Sequence, residues 1–177
     1  MVSGCSVRIE IDSIVGSKGV FAHVYSPGEL GFEDDRVSLS GPPEVSGQLV
    51  LKGKRVFLQG RLVAPAHVNC DRCLRVVDLA IESQFRLEYV TRIEYESSQA
   101  VELEDEDMTV SVFDGEAIDI DELVREQVFL AIPERNLCRE DCKGICPSCG
   151  IDRNMKECGC ESAESDPRWA ALKNLQL

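Results

Sequence analysis

Residues 56–89 read VFLQGRLVAPAHVNCDRCLRVVDLAIESQFRLEY, and the alternation on either side of the cysteines decides the fold. Val56, Leu58, Leu62, Ala64, Ala66 and Val68 recur at even spacing. Val77, Leu79, Ile81, Ser83, Phe85, Leu87 and Tyr89 then alternate with Asp78, Ala80, Glu82, Gln84, Arg86 and Glu88. A period of two with one apolar face is the pattern of antiparallel strands that bury one side. The two strands meet at Cys70-Asp-Arg-Cys73, where one short turn aims two sulfurs at one point.

Outward from this hairpin the reading continues in both directions. Val7, Ile9 and Ile11 predict a first strand and the region of Phe21 a second. Residues 26–44 are rich in Gly, Pro and acids and read mostly as loop, with only Arg36 to Leu39 extended. Val45 to Leu51 forms a strand that turns at Lys52-Gly53 into the long hairpin. Residues 94–107 are acidic and read as a solvated or disordered loop. Met108–Phe113 and Glu116–Ile118 flank Asp114-Gly115, a hairpin-turn dipeptide. Asp119 and Glu122 resemble a capping box, ahead of a helix whose apolar face is Ile120, Leu123, Val124, Val128, Leu130 and Ala131; Pro133 stops it. Ser165-Asp166-Pro167 predicts a closing helix with Trp169, Leu172 and Leu175 on one side, packed on the body or presented to a partner. The expected architecture is α+β. A twisted antiparallel sheet, curled toward a small barrel, carries one covering helix over residues 1–133, and a cysteine-rich zinc-binding tail spans residues 134–177.

Eight of nine cysteines fall into close pairs: Cys70 and Cys73, Cys138 and Cys142, Cys146 and Cys149, Cys158 and Cys160. That is the stoichiometry of two structural Zn²⁺ sites with four thiolates each, and paired spacing lets one turn supply two ligands. Cys146 to Cys160 spans fifteen residues and can close on itself. Cys138 and Cys142 must then take their partners from Cys70 and Cys73, a long-range site that would staple the tail to the body. Cys5 is left over. Disulfides would need an oxidising compartment, and Met1 to Asp12 shows neither a basic start nor an apolar run, so a cytoplasmic location is expected. A redox dithiol would place Cys70 at a helix N-terminus, whereas strand-like sequence continues on both sides and Asp71 opposes a low pKa.

The net charge is −13, but it is polarised. Residues 45–77 carry Lys52, Lys54, Arg55, Arg61, Arg72 and Arg75 against Asp71 alone, whereas residues 78–134 carry seventeen acids against three arginines. The six cations are the candidate contacts to RNA phosphate. For Arg72 and Arg75, with Arg139 and Lys143, an equal reading is that they offset thiolate charge. No apolar stretch is long enough to span a bilayer, so no membrane partner is expected. There is no phosphate-cradling glycine loop, no metalloprotease motif and no triad-like arrangement, and four-thiolate sites leave no position for a reactive water. His23 and His67 read as surface or packed residues. Neither an enzyme nor a small-molecule substrate is expected.

Three features in this order resemble the YceD family, the bacterial and plastid large ribosomal RNA subunit accumulation proteins. They are Cys-Asp-Arg-Cys at 70–73, the segment Ile118 to Pro133, and Leu137-Cys-Arg-Glu-Asp-Cys-Lys-Gly-Ile-Cys-Pro-Ser-Cys-Gly150. Cys158-Gly-Cys160 and the segment Asp166 to Leu175 also fit. One departure is Ile151-Asp-Arg-Asn154, where the family often has an Asn-Leu-Asn-type segment. The resemblance covers residues 45–177. It implies a role in synthesis, processing or stability of large-subunit (23S) ribosomal RNA, with ribosomal RNA or a ribosome-assembly protein as partner and no known catalytic activity. The charge imbalance leaves open a second function, an acidic adaptor for a basic partner such as a ribosomal protein or nuclease.

Overall fold

The alternating runs become strands in the computed structural model, which describes residues 6–32, 34–98 and 110–160. In chain order these are β1 (Arg8–Glu10), β2 (Lys18–Val24), β3 (Val37–Leu39), β4 (Glu44–Lys52), β5 (Arg55–Asn69), β6 (Val76–Thr91), β7 (Val110–Phe113) and β8 (Ala117–Asp119). Among the described residues two α-helices accompany them, α1 (Arg92–Ser98) and α2 (Ile120–Ala131), and a 3-10 turn at Ile11–Ser13 takes Ile11 out of the expected first strand. Cys5, the acidic run from 99 to 107 and the expected closing helix around Trp169 lie outside the described residues. By its contacts the chain divides into two compact units: Met1–Val68 with Asp78–Glu134, and Asn69–Val77 with Arg135–Leu177.

In the first unit the sheet runs β2-β4-β5-β6-β7, with β3 also pairing β5. The inward residues of β5 are the centre of the core: Val56, Leu58, Leu62, Ala64, Ala66 and Val68 are all at most 2% exposed. Along one edge β5 serves two partners in tandem, β4 opposite residues 55–63 and β3 opposite residues 66–68. The break between them is Gly41-Pro42-Pro43, where missing N–H groups interrupt the ladder. The turn from β4 to β5 falls at Gly53-Lys54, one residue later than expected, because Gly53 supplies the positive φ of 64°.

Three expectations are corrected. The sheet does not close into a barrel: β2 and β7 are its two ends, and no pairing joins them among the described residues. It is also not wholly antiparallel, because β7 pairs β6 in parallel, with Glu88 opposite Val110 and Thr91 opposite Phe113. Consequently β7 and β8 are not a hairpin. Asp114 Oδ1 does close a turn by accepting the N–H groups of Glu116 and Ala117, and Gly115 takes φ 95° there. The chain then leaves the large sheet, and β8 pairs β1 in a separate two-stranded ladder with Ile9 opposite Ile118. Finally, the acidic stretch is not loop from its start. Residues 92–98 form α1, where Glu94 accepts from Arg55 Nε at 2.9 Å.

Helix α2 begins as its cap predicts: the Asp119 carboxylate accepts the Glu122 N–H at 3.0 Å. It ends at Ala131, since Ile132, preceding Pro133, is extended with ψ 125°. Ile120, Leu123, Val124 and Val128 are buried at 1% exposure or less, whereas Leu130, expected on the same face, is 70% exposed. Two polar bonds fix the helix over the sheet side. Ser83 on β6 donates to Gln127 Oε1 at 3.2 Å, and the buried Tyr25 hydroxyl donates to Asp121 Oδ1 at 2.8 Å. Bonds of this kind, buried and satisfied, hold orientation as well as energy.

Candidate metal centres

The second unit is built from the tip of the β5–β6 hairpin and the cysteine-bearing tail. Its described buried apolar residues are Cys70, Cys73, Cys142 and Cys146, with Val77, Leu137 and Cys138 partly buried against the first three. Sulfur stands where a small domain would place leucine or valine. Two groups of four result, Cys70, Cys73, Cys138 and Cys142, and Cys146, Cys149, Cys158 and Cys160, each with all sulfurs within 4.8 Å of one another.

In the hairpin cluster the Sγ atoms of Cys70 and Cys142 lie 3.9 Å apart and those of Cys73 and Cys138 3.6 Å apart. Four thiolates at about 2.3 Å from a tetrahedral ion lie about 3.8 Å from one another. A disulfide would need about 2.05 Å, and all eight cysteines are free. The donor set and its spacing therefore fit a tetrahedral metal ion that could be held at each cluster.

Local backbone explains how the turns present their sulfurs. In Cys70-Asp-Arg-Cys73-Leu74, the Leu74 N–H donates to the Cys70 carbonyl at 2.9 Å with φ 59° at Leu74. In Cys146-Pro-Ser-Cys149-Gly150, the Gly150 N–H donates to the Cys146 carbonyl at 2.9 Å with φ 71° at Gly150. These are one turn used twice, and only the second has the residue it favours. Leu74 is 62% exposed, so its side chain contributes little to set against that backbone cost. Leu74→Gly is expected to stabilise the turn by up to about 1 kcal/mol, and Leu74→Val to destabilise it by more, measured as the denaturant concentration at which the tail becomes open to proteases in each variant.

Main-chain bonds then lock the tail to the hairpin tip. Asp71 and Asn136 form a reciprocal pair, with Asp71 N–H donating to the Asn136 carbonyl at 2.8 Å and Asn136 N–H donating to Asp71 Oδ2 at 2.6 Å. Arg72 donates through Nη1 to the Cys142 carbonyl at 2.7 Å and accepts the Ile145 N–H at its own carbonyl. Gly144 follows Cys142 with φ 71°, and a Cβ there would lie 2.9 Å from the Arg72 carbonyl oxygen. Asn154 braces the hairpin cluster: its Nδ2 donates to Cys142 Sγ at 3.4 Å and to Asp152 Oδ1 at 2.7 Å, and its Oδ1 accepts from Lys143 N–H and Arg139. Asn136, Gly144 and Asn154 were not singled out from sequence as parts of the site. Of the three, only Gly144, two residues after a cysteine as in a knuckle-like turn, carried a visible signal.

Four thiols this close cannot all ionise without a counter-charge. Burial opposes ionisation of Cys70, but the N–H groups of Cys138, Cys73 and Arg72 outweigh it and bring its pKa down to about 6. Burial also opposes ionisation of Cys142, and the Gly144 N–H and Asn154 amide overcome it. Cys138 is pushed up to about 12 by burial and then by Cys142, Cys73 and Cys70. The second cluster repeats the division, with Cys146 lowered to about 6 by the N–H groups of Cys149 and Ser148 and Cys160 raised to about 12 by Cys149 and Cys146. Hydrogen-bond donors of the chain favour the thiolate in part of each set, and a cation would be needed to hold all four.

The six basic residues are divided between the two units, and four of them are already engaged. Lys52 and Lys54 flank the β4–β5 turn, and Lys52 Nζ lies 4.9 Å from the Phe57 ring centroid. Arg55 pairs Glu88 and Glu94, and Arg61 pairs Glu82. Arg72 and Arg75 belong to the second unit, Arg72 holding the Cys142 carbonyl and Arg75 pairing Asp152 at 3.3 Å.

A family model described as the large ribosomal RNA subunit accumulation protein YceD matches residues 58–176. Among curated proteins, an uncharacterized protein of Mycobacterium tuberculosis is 30% identical over 149 residues, covering 84% of this chain and 69% of that protein. The chloroplastic large ribosomal RNA subunit accumulation protein YCED homolog 1 of Arabidopsis thaliana is 29% identical over 157 residues, 76% of this chain and 49% of that protein. The uncharacterized protein YlbN of Bacillus subtilis is 27% identical over 135 residues, 76% of this chain and 74% of that protein. No solved structure matches.

Proposed function

This chain belongs to the YceD family of large ribosomal RNA subunit accumulation proteins, and on that premise we propose that it is a non-enzymatic ribosome-biogenesis factor whose tail is shaped by two zinc ions. It would support the synthesis, processing or stability of large-subunit ribosomal RNA in the cytoplasm. The observation that carries this reading is the extent of the family match, which takes in both the hairpin cysteines and the whole described tail. Zinc suits the donor set: four cysteine sulfurs in each of two groups are its usual structural ligation. Its chemistry here would be fastening, since four protein ligands leave no site for a bound water. No described helix is long and apolar enough to cross a membrane.

Contact with ribosomal RNA would fall first on Lys52 and Lys54, because Arg55, Arg61 and Arg75 already face carboxylates and Arg72 holds the tail. Few phosphates would be neutralised, so binding should be weak and salt-sensitive. Replacing Lys52 and Lys54 together by glutamate is expected to reduce affinity for a precursor ribosomal RNA fragment by about tenfold or more at low salt. The slope of log affinity against log salt should fall by about two. Filter binding across a salt series reads both quantities, and unchanged values in the double variant would rule out this contact.

A further inference from the structure

A cavity of about 800 Å³ opens among β7, β8 and α2 of the first unit. Aromatic residues Tyr89, Phe113 and Phe129 line it together with the acids Asp114, Asp119, Glu122 and Glu126 and the bases Arg8 and Arg125. Glu122, Glu126 and Phe129 recur at helical spacing, so α2 presents them as one stripe. Tyr89 is only 9% exposed, but its hydroxyl, which makes no hydrogen bond to a described residue, stays within reach of solvent: the sealed side-chain atom without a partner among the described residues is Glu94 Oε2. Burial, followed by the fields of Glu126, Glu122 and Asp119, raises its pKa. Phe113 meets the Tyr89 ring edge-on with centroids 6.1 Å apart.

The lining carries four carboxylates against two guanidiniums, an excess of two negative charges. Asp119 is occupied, capping α2 and pairing Arg8 at 3.5 Å, whereas Glu122 and Glu126 have no ion-pair partner among the described residues. Like charges four positions apart on a helix repel. Arg125 lines the cavity without closing an ion pair to either glutamate, and its charge is also felt by Tyr25. The carboxylates are not gathered as metal ligands, since the only described groups of that kind are the two cysteine sets. Phosphate would be repelled by the same field.

We propose that this cavity receives an arginine side chain from a basic protein partner. A guanidinium is planar, stacks on aromatic faces and forks to carboxylates, so one group can meet the rings, the Glu122 and Glu126 carboxylates and the unpartnered Tyr89 hydroxyl. Lysine offers a compact charge without the planar fork. The surplus of acids over bases in residues 78–134 would speed the encounter. This assignment goes beyond the RNA contact proposed above and stands independently of it.

The test is titration of the full-length ¹⁵N-labelled chain with a capped Gly-Arg-Gly-Arg-Gly peptide and its lysine counterpart. Amide shifts are expected at Tyr89, Ser111–Phe113 and along 119–129, with the arginine peptide binding about fivefold tighter or more. Replacing Glu122 and Glu126 together by glutamine should weaken it about tenfold, and Tyr89→Phe about threefold. The pair Glu140→Gln with Asp141→Asn removes the same charge elsewhere and should change affinity by less than about twofold. Equal losses in the two double variants, equal affinity for the lysine peptide, shifts outside these segments, or an RNA oligonucleotide shifting the same amides would each overturn the proposal.

Discussion

Replacing Cys142 with serine is expected to empty the hairpin cluster and release the described tail to proteases while the sheet stays folded. The reason is composition. Among its described residues the second unit buries no leucine, isoleucine, valine or aromatic side chain, only Cys70, Cys73, Cys142 and Cys146. Without an ion, what remains is a set of main-chain bonds and thiols, some of them strongly resisting ionisation, as Cys138 does. Structural zinc contributes about 10–16 kcal/mol in small zinc-finger peptides near pH 7, more than a unit of this size can supply by burial. The core of β5, by contrast, is aliphatic and needs no ion. Limited proteolysis with mass mapping should show new cleavage within residues 135–160 in the variant, and the same pattern in wild type after a strong chelator. Because ligand thiols must be deprotonated, acidification should reproduce the effect as protons displace the metal. A variant that keeps both the native cleavage pattern and full metal content would show that Cys142 is not a ligand.

The second large effect concerns a pair of glycines inside the sheet. Gly47 on β4 lies directly opposite Gly60 on β5, and the rings of Phe21 and Phe85 cover them from the flanking strands. A Cβ on Gly60 would collide with the Ser46 carbonyl oxygen and lie 2.6 Å from Phe85 Cζ. A Cβ on Gly47 would collide with the Gln59 carbonyl oxygen and lie 2.8 Å from Phe21 Cε1. A ring can rotate away at modest cost, but a ladder carbonyl cannot move without breaking the register that buries Leu58 and Leu62. Gly60→Ala should therefore cost about 3 kcal/mol or more and lower the melting temperature by about 6–12 °C. Trimming the ring as well, with Phe85→Leu, should recover only part of the loss, because the carbonyl clash persists. Calorimetry on the single and double variants measures both terms, and an unshifted melting temperature in Gly60→Ala would exclude close backbone packing at this pair.

The hairpin was legible because period-two alternation and a paired-cysteine corner are both local signals, and each survives in the fold from Val56 to Tyr89. The grouping of the cysteines was legible for the same kind of reason: chain length allows Cys146–Cys160 to close on itself, which leaves Cys138 and Cys142 for the hairpin. Strand direction was not legible. Alternation in Val110–Phe113 says which side chains share a face, and says nothing about whether the neighbour runs parallel. Asp114-Gly115 is a correct turn signal, yet the partner of the strand after it is β1, more than a hundred residues back in the chain. Leu74 hid its left-handed backbone because the residue type argues against it. The cavity beside α2 was equally hidden, since Tyr89, Phe113 and Phe129 come from three elements whose adjacency depends on the parallel pairing of β7.

The central claim is that metal ions, held by hairpin and tail together, are what give the second unit its fold. Native mass spectrometry of the full chain, purified without chelator, tests it most directly. The account predicts a dominant species carrying two zinc ions per chain, falling to one when Cys160 is replaced by serine. A metal-free chain whose eight cluster thiols all react and whose tail is unaltered and protease-resistant would contradict it.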